Sequence, residues 1–163
     1  MKRTIALQIP IEIYENALEL SAVEQSLLQK AKANLVNAYA PYSGFRVAAA
    51  VLLENGEILV GANQENAAYP MCLCAERVAI AAAHAQFPGI PLKSIVITVQ
   101  NINKAVSQPV APCGACRQVI CETEFRFGHH IEIILQGEVG EIYKFRKGKD
   151  LLPLSFDGSF LGE

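Results

Sequence analysis

The segment "PMCLCAERVAI", residues 70–80, brings together side chains that bind metals and move protons. It contains Cys72, Cys74, Glu76 and Arg77, and an apolar run with helical spacing follows. That run predicts an Ala-rich helix from about Cys74 to Ala85. The N-terminus of a helix favours a thiolate, because its backbone N–H groups and its dipole stabilise negative charge. The segment therefore predicts a thiolate metal ligand with a carboxylate close behind it.

A second segment, "PCGACRQVICET", contains Cys113 and Cys116 at the C-x2-C spacing of a metal knuckle. This spacing also occurs in redox dithiols. Here the pair follows Pro112 and lies at the start of another predicted helix. With Cys74, the two cysteines supply three soft anionic ligands, for which zinc is the best match. Three protein ligands leave a fourth position for water, which is the pattern of a catalytic zinc site.

Glu76 follows Cys74 by two residues, so a helical turn could bring its carboxylate beside the open metal position. A carboxylate there can accept a proton from the activated water and return it to a substrate. Zinc deaminases have this arrangement, a His or Cys two residues before a Glu and then P-C-x-x-C. Three thiolates and one zinc ion sum to a negative charge. We therefore expect Arg77, with Arg117 as a second candidate, to donate hydrogen bonds to the sulfurs.

Helix and strand signals along the rest of the chain predict an α/β fold. Ser21 and Glu24 have the spacing of a capping box, and the helix they open should end before Pro41. Asn55-Gly56 predicts a hairpin turn within "FRVAAAVLLENGEILVGA". Further strands are predicted at "SIVITVQ", "IEIILQ" and "EIYKFR". The order of elements indicates a three-layer α/β/α sandwich with a mixed sheet of about five strands.

The first twenty residues are expected to differ from the rest. Residues 4–14 alternate between apolar and other side chains, which predicts an edge strand or an extended arm. We therefore divide the chain into an N-terminal extended arm, residues 1–20, and a catalytic domain, residues 21–163.

Composition narrows the class of protein. The chain has 163 residues, of which 52% are hydrophobic and 18% charged, as expected for one globular domain. Its formal net charge of -2 argues against a nucleic-acid-binding surface. No apolar run is long enough to cross a membrane. Lys2 and Arg3 resemble the start of a signal peptide, but Gln8, Pro10 and Glu12 interrupt the apolar stretch. We expect a cytoplasmic protein whose cysteines are thiols or metal ligands.

Five motifs in register indicate a family. Between about Ala31 and Phe156 the chain reads, in order, "YAPYSGFRV", "NQENAAYP", "CAER", "PCGACRQ" and "LLPLSF". It resembles the small homotetrameric cytidine deaminases, which hydrolyse cytidine and deoxycytidine to the uracil nucleosides and ammonia. By that resemblance the three cysteines hold one zinc ion per subunit, and Glu76 shuttles protons.

The resemblance also implies the substrate contacts. Asn63 and Glu65 would hydrogen-bond the ribose hydroxyls, Phe45 would pack on the pyrimidine ring, and the backbone of Ala75 would help to read the base. Three further residues would serve the pocket of an adjacent subunit: Ala67, Tyr69 and Phe156. The chain departs from the family pattern at residues 47–50, where VAAA replaces V-G-A-A, at Ala62 and at Gln64.

Other interpretations are open at this point. Cys72 could join the other three cysteines in a closed, structural zinc site, and the chain could be a zinc-stabilised binding module without chemistry. Among deaminases, the rivals act on tRNA adenosine, on nucleotides or on a nucleoside antibiotic such as blasticidin S. Cys121 lies on an apolar helical stripe and is expected to be a buried small hydrophobe. The histidines, His84, His129 and His130, lack ligand spacing to the cysteines.

Overall fold

The structure is a computed structural model that describes residues 2–162. Its strands are β1 (Glu12–Tyr14), β2 (Phe45–Leu53), β3 (Ile58–Ala62), β4 (Leu92–Asn101), β5 (Glu132–Gln136) and β6 (Ile142–Phe145). Its helices are α1 (Ala22–Asn34), α2 (Ala75–Gln86) and α3 (Gly114–Phe127). The strands form one mixed sheet in the order β1-β6-β5-β4-β2-β3. Strands β4 and β5 run parallel, and the other neighbouring pairs run antiparallel.

The sheet lies between two helical layers. On one face, Leu27, Leu28 and Ala31 of α1 pack in a core with residues of the sheet such as Val96 and Ile134. On the other face, α2 and α3 supply buried residues to a larger core. The predicted three-layer α/β/α sandwich is therefore confirmed. None of the helices in residues 2–162 combines the length and apolar character that a membrane span requires.

Local signals form where they were predicted. The hydroxyl of Ser21 accepts from the Glu24 amide and the Glu24 carboxylate accepts from the Ser21 amide, so the capping box is present. A short 3-10 helix, Leu35–Asn37, ends this region before Pro41. Gly56, with a φ of 88°, makes the turn between β2 and β3. A positive φ is readily adopted by glycine, which explains the residue at this turn.

The sheet has six strands instead of about five, because part of the N-terminal segment pairs. Glu12 lies opposite Lys144 and Tyr14 opposite Ile142, which makes β1 an edge strand beside β6. Residues 2–11 lie outside any strand, and the alternating apolar side chains among them, Ile5 to Ile11, are exposed. The segment is thus a three-residue edge strand preceded by residues without regular secondary structure. The division of the chain at residues 20 and 21 stays a prediction.

Helix α2 lies unusually close to β3 at one point. A Cβ atom at Gly61 would lie 2.5 Å from the Ala75 carbonyl oxygen and 2.5 Å from the Ala79 amide nitrogen. Both are backbone atoms, so a side chain at position 61 could be accommodated only if the helix moved away from the strand. Because Gly61 has no Cβ atom, the start of α2 can lie this close to β3.

Candidate active site

Two helix N-termini carry the predicted metal ligands. Cys74 is the N-cap residue of α2 and Cys113 is the N-cap residue of α3. Neither side chain makes the usual capping hydrogen bond to its own helix. Cys116 lies in the first turn of α3 and is fully buried. The parallel pairing of β4 and β5 helps to place the two helices side by side on one face of the sheet.

The three sulfurs are arranged as zinc ligands would be. The Cys74 Sγ lies 3.8 Å from the Cys113 Sγ, which lies 3.5 Å from the Cys116 Sγ. All three lie within 4.8 Å of one another. Sulfurs about 2.3 Å from a tetrahedral zinc ion would be separated by about 3.8 Å. The donor set and its spacing therefore fit one zinc ion.

The contacts among the sulfurs shift the pKa values of Cys74 and Cys116 in opposite directions. A hydrogen bond from Cys116, followed by contributions from Cys113 and Arg77, lowers the pKa of the Cys74 thiol to about 5. The same contact with Cys74, together with burial, raises the pKa of the Cys116 thiol. Full ionisation of all three sulfurs therefore requires positive charge at their centre, which a divalent cation supplies.

Glu76 lies in the first turn of α2, two residues after Cys74. It is only 4% exposed. Burial is the main reason that the pKa of its carboxyl group is raised, and the negative charge of Cys74 acts in the same direction. A buried carboxyl group with a raised pKa takes up a proton more readily than an exposed one, which suits a group that carries protons.

The two arginines have different surroundings. The Arg77 Nη2 donates to the Cys72 carbonyl oxygen at 3.0 Å, and the charge of Arg77 helps to lower the pKa of Cys74. In contrast, the Arg117 Nε donates to the Pro112 carbonyl oxygen at 2.7 Å, and its Nη1 donates to the Leu151 carbonyl oxygen at 2.9 Å. Both of these groups on Arg117 bind backbone instead of sulfur, so it joins the start of α3 to the C-terminal segment.

A cavity of about 320 Å³ opens beside the sulfurs and Glu76. Four of the predicted substrate-contact residues line it: Phe45, Asn63, Glu65 and Ala75. Its wall also contains apolar residues that were not predicted from the sequence: Val47, Leu73, Ile97, Val110 and Ala111. These lie on different strands and loops, so no local motif would have identified them. The cavity is large enough for a nucleoside-sized ligand.

Asn63 holds the first residues of β2 in place. Its Oδ1 accepts from the Val47 amide at 2.8 Å, and its Nδ2 donates to the Phe45 carbonyl oxygen at 2.9 Å. The Asn63 backbone is fixed as well, because its amide donates to Val47 and its carbonyl accepts from Tyr39. The side chain is thus partly engaged in structure, which the sequence did not indicate.

Glu65 is held by the turn that precedes β2. Its Oε2 accepts from the backbone amides of Tyr42, at 2.8 Å, and Ser43, at 3.2 Å. Its Oε1 accepts a short hydrogen bond from the Ser43 hydroxyl. These contacts, with the Ser43 hydroxyl first, lower the pKa of the Glu65 carboxyl group. Ser43 was also missed from sequence, although its place before Gly44 in "PYSGF" is typical of a turn.

The residues assigned to a neighbouring subunit do not reach this cavity within one chain. Tyr69 is 72% exposed, Phe156 is 56% exposed, and Ala67 is exposed as well. The ring of Phe156 stacks on Phe160 with a centroid separation of 5.6 Å. Their exposure leaves them available to a second chain.

The remaining sulfur and imidazole groups lie outside the ligand cluster. The Cys72 Sγ accepts from the Asn66 amide at 3.2 Å. Cys121 is fully buried in α3, as predicted. The His129 Nε2 lies 3.2 Å from a carboxylate oxygen of Glu54, and His84 lies beside Phe127.

Comparisons with known proteins agree with this geometry. Residues 21–127 match a family model described as the cytidine and deoxycytidylate deaminase zinc-binding region. A cytidine deaminase of Halalkalibacterium halodurans is 36% identical over 137 residues, covering 81% of this chain and 92% of the relative. A cytidine deaminase of Mycobacterium tuberculosis is 38% identical, covering 71% and 83%.

Among solved structures, cytidine deaminase from Burkholderia pseudomallei superimposes with a TM-score of 0.70 at 38% identity. The match covers 80% of this chain and 97% of that one. The zinc-binding match includes both cysteine segments and Glu76, and the structural match extends over most of the sheet and helices. The chain therefore belongs to the family of cytidine and deoxycytidylate deaminases that share this zinc-binding region.

Proposed function

We propose that this protein catalyses the hydrolytic deamination of cytidine and 2'-deoxycytidine, giving uridine or 2'-deoxyuridine and ammonia. One observation carries the proposal: the buried carboxyl group of Glu76 and two of the three zinc-spaced cysteines, Cys74 and Cys113, line the same nucleoside-sized cavity. The relatives named above, which are cytidine deaminases, support the same substrate class.

Cys74, Cys113 and Cys116 would hold the zinc ion. When bound, zinc would act as a Lewis acid that lowers the pKa of a water molecule, so that this water can lose a proton and attack carbon at neutral pH. Arg77 offsets the excess negative charge of three thiolates. Its Nε is buried without a hydrogen-bond partner among residues 2–162, so that donor is available to the ligand sulfurs.

Glu76 moves the protons of the reaction. Its carboxylate accepts a proton from the attacking water as the new C–O bond forms at C4 of the base, and it delivers that proton to N3. It then moves the remaining proton of that water from the new C4 hydroxyl to the exocyclic nitrogen, so that the C4=O bond forms, the C4–N bond breaks and ammonia leaves. The raised pKa of Glu76 suits a group that is a base in one step and an acid in the next.

The other cavity residues orient the nucleoside. Phe45 packs on the pyrimidine ring, and the backbone of Ala75 binds the edge of the base. Asn63 and Glu65 hydrogen-bond the sugar hydroxyls. Glu65 is suited to this role because the turn before β2 fixes its carboxylate and lowers its pKa, so it stays an anionic acceptor.

We further propose that the enzyme is a homotetramer with shared active sites, working in the cytoplasm. Ala67, Tyr69 and Phe156 would each complete the pocket of a neighbouring subunit. Their exposure supports this assignment, since an aromatic side chain such as Phe156 is more stable when covered. The five cysteines are free thiols, as expected for a reducing compartment.

The test is product formation by the purified, zinc-loaded protein. We expect cytidine and deoxycytidine to yield ammonia and the matching uracil nucleoside in equal amounts, and a Glu76→Ala protein to form both products far more slowly. Deoxycytidylate and blasticidin S should be tested in parallel. Exclusive turnover of either one would replace the substrate assignment, and no turnover of any would favour a zinc-stabilised binding module.

A further inference from the structure

The hydroxyl of Ser43 connects two parts of the cavity. It donates to the Glu65 Oε1 and accepts from the Phe45 amide at 3.0 Å. In the proposed function, Glu65 binds the sugar and Phe45 packs on the base. One hydroxyl therefore contacts a residue assigned to each half of a nucleoside, although Ser43 is not among the residues lining the main cavity.

The backbone of the turn that carries Ser43 is fixed by Gly44 and by hydrogen bonds on both sides of it. Gly44 adopts a φ of 66°, and a Cβ atom there would lie 2.6 Å from the Ile102 side chain. The Gly44 amide donates to the Ala40 carbonyl oxygen at 3.0 Å, and the Ile102 amide donates to the Gly44 carbonyl oxygen at 3.2 Å. Ser43 is thus presented to Glu65 by a backbone with hydrogen bonds on both sides of it.

The hydrogen bonds to Glu65 leave it able to bind a ligand. A carboxylate has about four lone-pair positions, two on each oxygen. Oε2 accepts two backbone amides, from Tyr42 and Ser43, and Oε1 accepts the Ser43 hydroxyl. One position on Oε1 remains for a hydroxyl group of a substrate. The Ser43 hydroxyl therefore orients the oxygen that still has a free lone pair.

The carbonyl side of Phe45 is held independently. Asn63 donates to the Phe45 carbonyl oxygen at 2.9 Å, while Ser43 accepts from the Phe45 amide. The backbone of Phe45 is therefore fixed by one polar side chain on each side. The Ser43 hydroxyl makes two hydrogen bonds, and the one to the charged Glu65 carboxylate is stronger than the one to the Phe45 amide.

We infer that Ser43 is a positioning residue for nucleoside binding: its hydroxyl fixes the Glu65 carboxylate towards the sugar and, more weakly, Phe45 towards the base. The inference rests on the proposed deaminase function. A residue of this kind contributes to binding of both the ground state and the transition state, so its loss should raise KM and leave kcat nearly unchanged.

The experiment compares Ser43→Ala with two other variants. Ser43→Thr keeps the hydroxyl, and Ser26→Ala is a matched control on the exposed side of α1, in the opposite helical layer. We expect Ser43→Ala to raise KM for cytidine about tenfold with kcat within about twofold of wild type. Ser43→Thr should recover most of the loss, and Ser26→Ala should match wild type.

A double-mutant cycle with Glu65→Ala separates positioning from a general structural effect. Once Glu65 is absent, Ser43→Ala should change kcat/KM less than about twofold. An unchanged KM in Ser43→Ala, or an equal loss with and without Glu65, would overturn the inference. Neither result affects the proposed function, which fails only if the wild-type protein does not deaminate cytidine or deoxycytidine.

Discussion

Cys72 and Cys74 are two residues apart, yet their sulfurs have different partners. The Cys74 Sγ lies 3.8 Å from the Cys113 Sγ, whereas the Cys72 Sγ accepts a hydrogen bond from the Asn66 amide. The difference arises because α2 begins directly after Cys74, and Cys72 ends a short 3-10 helix, Tyr69–Met71, in the preceding loop. This relationship distinguishes an open three-cysteine site from a closed four-cysteine one.

The first prediction follows from that difference. Cys72→Ser should retain about one zinc ion per chain and most of its activity, because a hydroxyl can replace the thiol beside Asn66. Cys74→Ser should bind zinc poorly and lose activity, because a neutral hydroxyl replaces a thiolate. Metal analysis of both purified variants, together with cytidine turnover, checks the expectation. Equal zinc loss in the two variants would indicate a closed site.

The second prediction concerns Glu76. Glu76→Ala should keep its zinc and its fold but lose at least about a thousandfold in kcat, since one carboxylate serves both proton transfers. Glu76→Gln, which retains the shape, should be impaired to a similar degree. Zinc content and circular dichroism provide the control for correct folding. Near-normal turnover in a zinc-replete Glu76→Ala protein would contradict the mechanism.

The third prediction separates Glu65 from Asn63. Glu65→Ala should raise KM for cytidine by a factor equivalent to about 1–3 kcal/mol, because a sugar hydroxyl loses its partner. Asn63→Ala should also lower the thermal midpoint, since its amide bonds the backbone at Phe45 and Val47. Free cytosine should be a very poor substrate for the wild-type protein. Comparable rates for cytosine and cytidine would argue against sugar binding by either residue.

The fourth prediction concerns assembly. Phe156→Ala should lower kcat/KM for cytidine without loss of zinc, because the ring is expected to enter a neighbouring pocket. Co-expression of Phe156→Ala subunits with Glu76→Ala subunits should restore part of the activity, since some sites then contain both residues. Light scattering gives the assembly state in parallel. A fully active monomer would exclude shared sites.

The fifth prediction concerns stability. The Lys144 Nζ lies 2.7 Å from Glu24 of α1 and 3.0 Å from Glu132 of β5, and it is mostly covered. Lys144→Met should lower the free energy of unfolding by about 1–2 kcal/mol at neutral pH, because two carboxylates lose their partner. Urea denaturation measures the effect. Lys93→Met, an exposed lysine of β4, is the matched control.

The effect of Lys144→Met should depend on pH in a defined direction. Burial would raise the pKa of Glu24, but hydrogen bonds from Lys144 and Ser21 lower it overall, below its ordinary value of 4.5. The stabilisation from Glu24 is therefore fully present above pH 4.5 and is lost as the pH falls through the lowered pKa. A difference between the two proteins that grows on acidification would contradict this assignment.

The sequence predicted the features that depend on neighbouring residues. The capping box at Ser21, the turn at Gly56 and the helix starts at Cys74 and Cys113 all follow from short-range patterns, and all are present. The C-x2-C spacing and the two helix starts likewise indicated metal ligands, although the contact between Cys74 and Cys113 that completes the cluster is long-range.

Features that depend on long-range contacts were not predictable in the same way. Alternation in residues 4–14 indicated an extended chain but not where pairing with β6 would end. One of the two partners of Arg117 is the Leu151 carbonyl oxygen, which is distant in sequence, and the proximity of Arg117 to Cys116 gave no indication of it. The bond between Ser43 and Glu65 likewise joins two loops. These contacts form only when the sheet brings separate segments together.

The close approach of α2 to Gly61 has a consequence for how this chain can vary. Glycine weakens a strand, and β3 is an edge strand, where a β-branched residue would normally strengthen pairing. Any such residue would displace the backbone at Ala75, the residue directly after Cys74. A substitution at Gly61, which supplies no ligand, would therefore disturb the metal site even where it made the edge strand more stable.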